Sequence, residues 1–156
     1  MYRVRHIGLI SDTHGLLRPQ ALDALRGSEL IIHAGDIGSP DILRQLREIA
    51  PTVAVRGNND HGPWADELAD IEVVNANQYR LYVLHDLTQL TVDPRLGGID
   101  IVIAGHSHKP MVERRNDVLF LNPGSAGPRR FTLPIAVAHL RVDVAPAHAE
   151  IVELRV

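Results

Sequence analysis

Apolar runs in the first part of the chain share one shape: a short β-rich stretch, an abrupt polar or glycine-containing loop, then a helical stretch. Residues 6–10 lead into Ser11-Asp12-Thr13-His14-Gly15, residues 30–33 into Ala34-Gly35-Asp36, and residues 52–55 into Arg56-Gly57-Asn58-Asn59-Asp60. Between them, residues 19–25 and 40–49 carry helical spacing. Pro19 and Pro40 suit first turns, Ser39 suits an N-cap and Gly27 suits the left-handed position after a helix. Strand and helix alternating in this order predict βαβ units and a parallel core sheet.

The later part changes character. Residues 71–74 and 79–85 flank a hairpin signal at 75–78, and residues 111–115 and 118–121 flank a second one at Asn116-Asp117. Residues 99–104 form another apolar run, Asn122-Pro123-Gly124-Ser125 is a turn, and 134–142 and 147–154 are late strands. The expectation is one α/β domain over residues 1–156, with two sheets packed face to face and helices outside. A single mixed sheet is the alternative.

Composition narrows the function. The 156 residues are 45% hydrophobic and 22% charged, which fits a folded core. With no cysteine, thiolate metal sites, disulfides and cysteine nucleophiles are excluded. The net charge is −3 and no basic tract runs along the chain, so nucleic acid is not favoured as a partner. No apolar stretch approaches the roughly 20 residues of a membrane span, and cytoplasmic residence is the default expectation. Nine His against one Trp, three Tyr and two Phe point to imidazoles serving as ligands.

The informative feature is what ends each apolar run. Asp12 and His14, Asp36, Asn58, His85, and His106 and His108 all follow strand-like segments. In open α/β sheets, ligands bind beyond the carboxyl ends of the strands, so these side chains are expected in one cluster. Asp12-x-His14 and His106-x-His108 place two side chains on one face, roughly 7 Å apart, while paired ions sit about 3.5–4 Å apart. Oxygen and imidazole donors without sulfur suit Mn, Fe, Zn, Co or Ni better than Ca or Mg alone. Seven ligands exceed one tetrahedral ion and suit two, with Asp36, from the middle of the set, chosen as the bridge. His33, inside an apolar strand, reads as structural. His6, His139 and His148 read as surface or edge residues, and Asp23, Asp41, Asp66 and Asp70 as solvent-facing.

At Asp12-x-His14, Gly35-Asp36, Gly57-Asn58-x-Asp60, His85 and Gly105-His106-x-His108 the chain resembles the calcineurin-like metallophosphoesterase superfamily. The short length and the Asn122-Pro123-Gly124-Ser125 turn resemble its small YfcE-like phosphodiesterases. The resemblance implies a four-layer α/β/β/α sandwich of two mixed β-sheets flanked by helices, with a binuclear centre at one end. It assigns Asp12, His14 and His108 to the first ion, Asn58, His85 and His106 to the second, and Asp36 to the bridge. Two departures stand out. Asn59 replaces a His that serves larger relatives as a candidate proton donor. Asp86 follows His85 where glycine is common; there it either orients His85 or faces water.

The expected activity is hydrolysis of small phosphodiesters by a metal-activated hydroxide, with two divalent cations, Mn²⁺ first and Fe, Zn, Ni or Co as alternatives. Asp36, His14, Asn58 and Asp60 are the candidate catalytic residues, Asp60 by holding a ligand in place. His61 is a candidate proton donor, and Arg129 and Arg130 are candidates for steadying phosphate. A non-catalytic scaffold of the same fold and a phosphomonoesterase are the competing readings.

Overall fold

The structure, a computed structural model, describes all of residues 1–156. The chain runs β1 (His6–Ile10), α1 (Pro19–Leu25), β2 (Leu30–His33), α2 (Pro40–Arg47), β3 (Thr52–Ala54), α3 (Pro63–Asp66), β4 (Ile71–Ala76) and β5 (Tyr79–Leu84). A 3₁₀ turn at Leu87–Gln89 follows, then β6 (Ile101–Ile103), β7 (Met111–Arg115), β8 (Val118–Asn122), β9 (Ala136–Arg141) and β10 (His148–Glu153). Two five-stranded sheets result, ordered β10-β9-β1-β2-β3 and β4-β5-β6-β8-β7. Both are mixed: β1, β2 and β3 are parallel in the first, and β5, β6 and β8 in the second.

Alternation along the strands separates three apolar layers. Ile7, Leu9, Leu30 and Ile32 face Leu81, Val83, Ile101 and Ile103 between the sheets. The opposite face of the first sheet, including Ile10 and Ile31, packs on Ala21 and Leu25 of α1 and on Ile42, Leu43 and Leu46 of α2. Each such side chain contributes roughly 1.5–3 kcal/mol when fully buried. Helix α2 starts as its sequence demands, with Pro40 in the first turn and Ser39 Oγ accepting the Asp41 N–H at 3.1 Å. No helix is long and apolar enough to cross a membrane.

The outer face of the second sheet is covered differently. Tyr82, Leu84, Val102, Val118 and Phe120 pack under Leu87 and Leu90 of the 3₁₀ turn and its exit, not under a long helix. Pro94, Gly97 and Gly98 explain this, because they interrupt any helix in the segment that reaches β6. Short α3 was not among the expected elements, although Pro63 in its first turn is a start signal. The hairpin at Asn116-Asp117 forms as expected, with φ of 51° and 68°.

Candidate metal centre

Every candidate ligand lies just beyond the carboxyl end of a parallel strand: β1, β2 and β3 in one sheet, β5 and β6 in the other. Packing the sheets face to face therefore brings five loops to one end of the sandwich. The loops are laced together by backbone bonds. Asp12 N–H donates to Gly35 C=O at 3.0 Å, His14 N–H to Asp36 C=O at 2.9 Å, and Gly105 N–H to His85 C=O at 2.9 Å.

Two trios of potential ligand atoms result, Asp12–His14–His108 and Asp36–His85–His106, each with its atoms within 4.8 Å of one another. In the first, His108 Nε2 is 3.4 Å and His14 Nε2 3.8 Å from Asp12 Oδ1, and the two ring nitrogens are 3.3 Å apart. In the second, His85 Nε2 is 3.2 Å from Asp36 Oδ2 and 3.3 Å from His106 Nδ1. Asp36 Oδ2 also lies 3.7 Å from His14 Nε2, so one carboxylate oxygen faces both trios. Asn58 is exposed and lines the cleft beside His85 and His106.

The two oxygens of Asp12 have separate surroundings. Oδ2 accepts from Ser11 Oγ at 2.7 Å and from the His106 N–H at 3.0 Å. Oδ1 is buried with no hydrogen-bond partner, yet three imidazole nitrogens, those of His108, His14 and His85, approach it at 3.4, 3.8 and 3.9 Å. A buried, unpaired carboxylate oxygen costs about 1–3 kcal/mol or more. A cation would satisfy it, and the surrounding donors fit such an ion.

Protonation follows from these contacts. Burial pushes Asp36 up, but the hydrogen bonds from His85 and Asn59 outweigh it and hold the carboxyl well below the usual range. Asp12 behaves alike: burial is outweighed by His108, Ser11 and His85. Burial pushes His85 down, but Asp36, the Ala34 carbonyl and Asp12 raise it above its ordinary value. The Nδ1–H of His85 is directed at Ala34 C=O, 2.7 Å away, which leaves Nε2 free to face the centre.

Backbone strain collects here. Asp12, His14, Asp36, His106 and His108 have φ of 55°, 47°, 55°, 70° and 62°. Left-handed non-glycine residues cost about 1–2 kcal/mol each, and they persist where the surroundings over-determine them. Two glycines permit the loops to close. A Cβ at Gly57 would overlap the backbone nitrogen and Oδ1 of Asp36, and one at Gly105 would overlap Ser11 Oγ.

The remaining candidates divide. Asp60 is 3% exposed, and its oxygens accept the N–H groups of Ile37, Gly38 and Gly57 at 2.9, 3.0 and 2.8 Å. It therefore ties the Asp36 loop to the Asn58 loop. Asn59 grips Asp36 with its N–H at 2.9 Å and its side-chain amide at 3.1 Å. Asp86 neither orients His85 nor simply faces water: Oδ1 accepts from Thr88, and Oδ2 is 3.8 Å from His106 Nε2. His61 lines the cleft of about 600 Å³ that opens at Asn58, His85 and His106. Arg129 and Arg130 do not line it, and Arg129 instead donates to Leu133 C=O.

His33 is structural, as its sequence context suggests. It is fully buried, donates Nε2–H to Thr13 Oγ1 at 3.0 Å and accepts the Gly35 N–H at 3.1 Å, while Thr13 donates to Ile37 C=O. Burial lowers its pKa to about 3, so the ring is neutral. The bracing residues Ser11, Thr13, Asn122 and Ser125 were not singled out as site residues. Ser125 donates to Asp12 C=O at 3.1 Å, and Asn122 to Gly105 C=O at 3.0 Å. Ser11 and Thr13 signal themselves only as small polar residues within the first ligand motif, and Asn122 and Ser125 only as the ends of the Asn122-Pro123-Gly124-Ser125 turn.

Two mixed sheets packed face to face, with two carboxylate–imidazole trios at one end, define the metallophosphoesterase class of fold. The chain belongs to the calcineurin-like phosphoesterase superfamily, whose domain model matches residues 6–144. It is 39% identical to a probable metallophosphoesterase of Methanothermobacter thermautotrophicus, over 94% of this chain and 91% of that one. It is 26% identical to the phosphodiesterase YfcE of Escherichia coli, over 86% of each. The solved Vps29 of Chaetomium thermophilum superposes with a TM-score of 0.82 over 96% of this chain and 89% of that one, at 20% identity, a likeness of fold alone.

Proposed function

We propose that this protein is a two-metal phosphodiesterase acting on small phosphodiesters. The observation that carries the reading is that Asp36, a member of one trio, also faces the other: its Oδ2 lies 3.7 Å from His14 and 3.2 Å from His85. Asp12, His14 and His108 would hold one divalent cation and Asn58, His85 and His106 the other, with Asp36 between them. Mn²⁺ is the proposed metal, and Fe, Zn, Ni and Co suit the same donors. Cations held by these residues would supply Lewis acidity toward phosphoryl oxygens and would lower the pKa of a water from 15.7 to about 7.

The chain's own residues supply position and charge. Ionised Asp12 and Asp36 neutralise bound cations, and Asn59 and Ser11 fix the direction of those carboxylates. His14, half-buried at the centre, is placed to touch the substrate phosphate. Asp60 acts through the loops it ties, because both of its oxygens are engaged by backbone donors. The Asn59 amide, which donates to Asp36, is too weak an acid to protonate a leaving group, so leaving groups that depart without protonation are favoured.

The test is turnover of bis(p-nitrophenyl) phosphate with added Mn²⁺, beside a dialkyl phosphate and p-nitrophenyl phosphate. The reading expects rapid cleavage of bis(p-nitrophenyl) phosphate, slower cleavage of p-nitrophenyl phosphate and little of the dialkyl ester. Faster cleavage of the monoester marks a phosphomonoesterase. No cleavage by protein loaded with metal supports the scaffold reading.

A further inference from the structure

We propose that Asp86 is a positioning residue for His106: its Oδ2 takes the Nε2–H of that ring and so aims Nδ1 at the second cation. The inference rests on the two-metal reading above. His106 is the most exposed of the candidate imidazoles, with its side chain 45% exposed. Its Nδ1 lies 3.3 Å from His85 Nε2, on the side of the Asp36–His85–His106 trio. Its Nε2 points the other way and lies 3.8 Å from Asp86 Oδ2.

The carboxylate is held for this task. Asp86 Oδ1 accepts the Thr88 N–H at 3.0 Å and the Thr88 hydroxyl at 2.8 Å, which caps the 3₁₀ turn and leaves Oδ2 facing His106. His85 does not need Asp86, because its Nδ1–H is directed at Ala34 C=O, 2.7 Å away.

A metal-bound imidazole is a better ligand when its far nitrogen donates to a carboxylate, and losing that partner typically weakens metal binding 10–100-fold. A ring rotation that shortens the 3.8 Å gap by roughly 1 Å gives an ordinary charge-assisted bond. One carboxylate thus couples the cap of the 3₁₀ turn to the orientation of a ligand.

The experiment titrates demetallated wild type, Asp86→Ala and Asp86→Asn with Mn²⁺ by calorimetry. Nitrogen-15 imidazole spectra of the metal-free proteins report the His106 tautomer. Wild type is expected to bind two ions and to show His106 protonated at Nε2. Asp86→Ala should weaken one site by at least about tenfold, spare the other and lose the tautomer preference. Asp86→Asn, which keeps an acceptor for the Thr88 N–H, should fall between them, and it serves alone if the alanine variant does not fold. Unchanged affinities, equal weakening of both sites, or an unaltered tautomer overturn the proposal. A wild type that binds fewer than two ions overturns the two-metal reading itself.

Discussion

The two trios are built from the same side-chain types but sit in different surroundings. Asp12 and His108 are 0% and 3% exposed at the side chain, with Ser11 and Ser125 bracing Asp12. The second trio opens outward: His106 is 45% exposed, Asn58 is exposed, and both line the cleft of about 600 Å³. The difference teaches a division of labour. On the two-metal proposal, the closed, braced site would retain its ion, and the open one would exchange its ion and admit substrate. Asp36 joins them because one oxygen faces an imidazole of each.

The largest effect is expected from Asp36→Asn, which removes the one charge that faces both trios. Turnover of bis(p-nitrophenyl) phosphate should fall by about 10³-fold or more, read as kcat with saturating Mn²⁺. Wild-type turnover in that variant removes Asp36 from the centre. A finer separation comes from graded chelation followed by elemental analysis. The open site should empty first, leaving a plateau of one ion per chain, with affinities about 10–100-fold apart. His106→Ala should abolish the weaker site and keep the plateau ion. Simultaneous loss of both ions contradicts the asymmetry.

The contrast between braced and open loops also has a pH signature through His33, which lies behind both trios. Its folded pKa is about 3 against an ordinary 6.5, so between these values the unfolded chain binds the extra proton. Stability is whole above pH 6.5 and falls as pH drops toward 3. The loss from this group is about 2 kcal/mol at pH 5. In denaturant melts of demetallated protein at pH 7 and pH 5, His33→Gln should lose less than wild type by about that amount. An equal loss in both removes His33 as the cause. The smallest expected effect is at Ser11→Ala, which deletes one bond to Asp12 Oδ2. It should cost about 0.5–1.5 kcal/mol of stability and weaken the closed site while sparing the open one.

Much of this site was legible along the chain because strand ends carry position. Seven candidate ligands followed five apolar runs, and parallel pairing within each sheet, with the sheets packed face to face, brought all five ends to one end of the sandwich. What stayed hidden depends on direction in space. Arg129 and Arg130 follow the Asn122–Ser125 turn, but adjacency in sequence does not show that Arg129 turns to Leu133. Asp86 follows His85 yet its Oδ2 faces His106 of another loop, because consecutive residues point to opposite sides of an extended segment. The left-handed backbone at Asp12, His14, Asp36, His106 and His108 is equally invisible, since no local preference of His requires it. The outer cover of the second sheet was expected as helix and is a 3₁₀ turn, for which Pro94, Gly97 and Gly98 were the available sign.

The most direct measurement is anomalous diffraction at the manganese edge from crystals of the Mn²⁺-loaded protein. The account predicts two peaks about 3.5–4 Å apart, with Asp36 between them, His14 and His108 on one side and His85 and His106 on the other. A single peak, or ions bound away from Asp36, would contradict it.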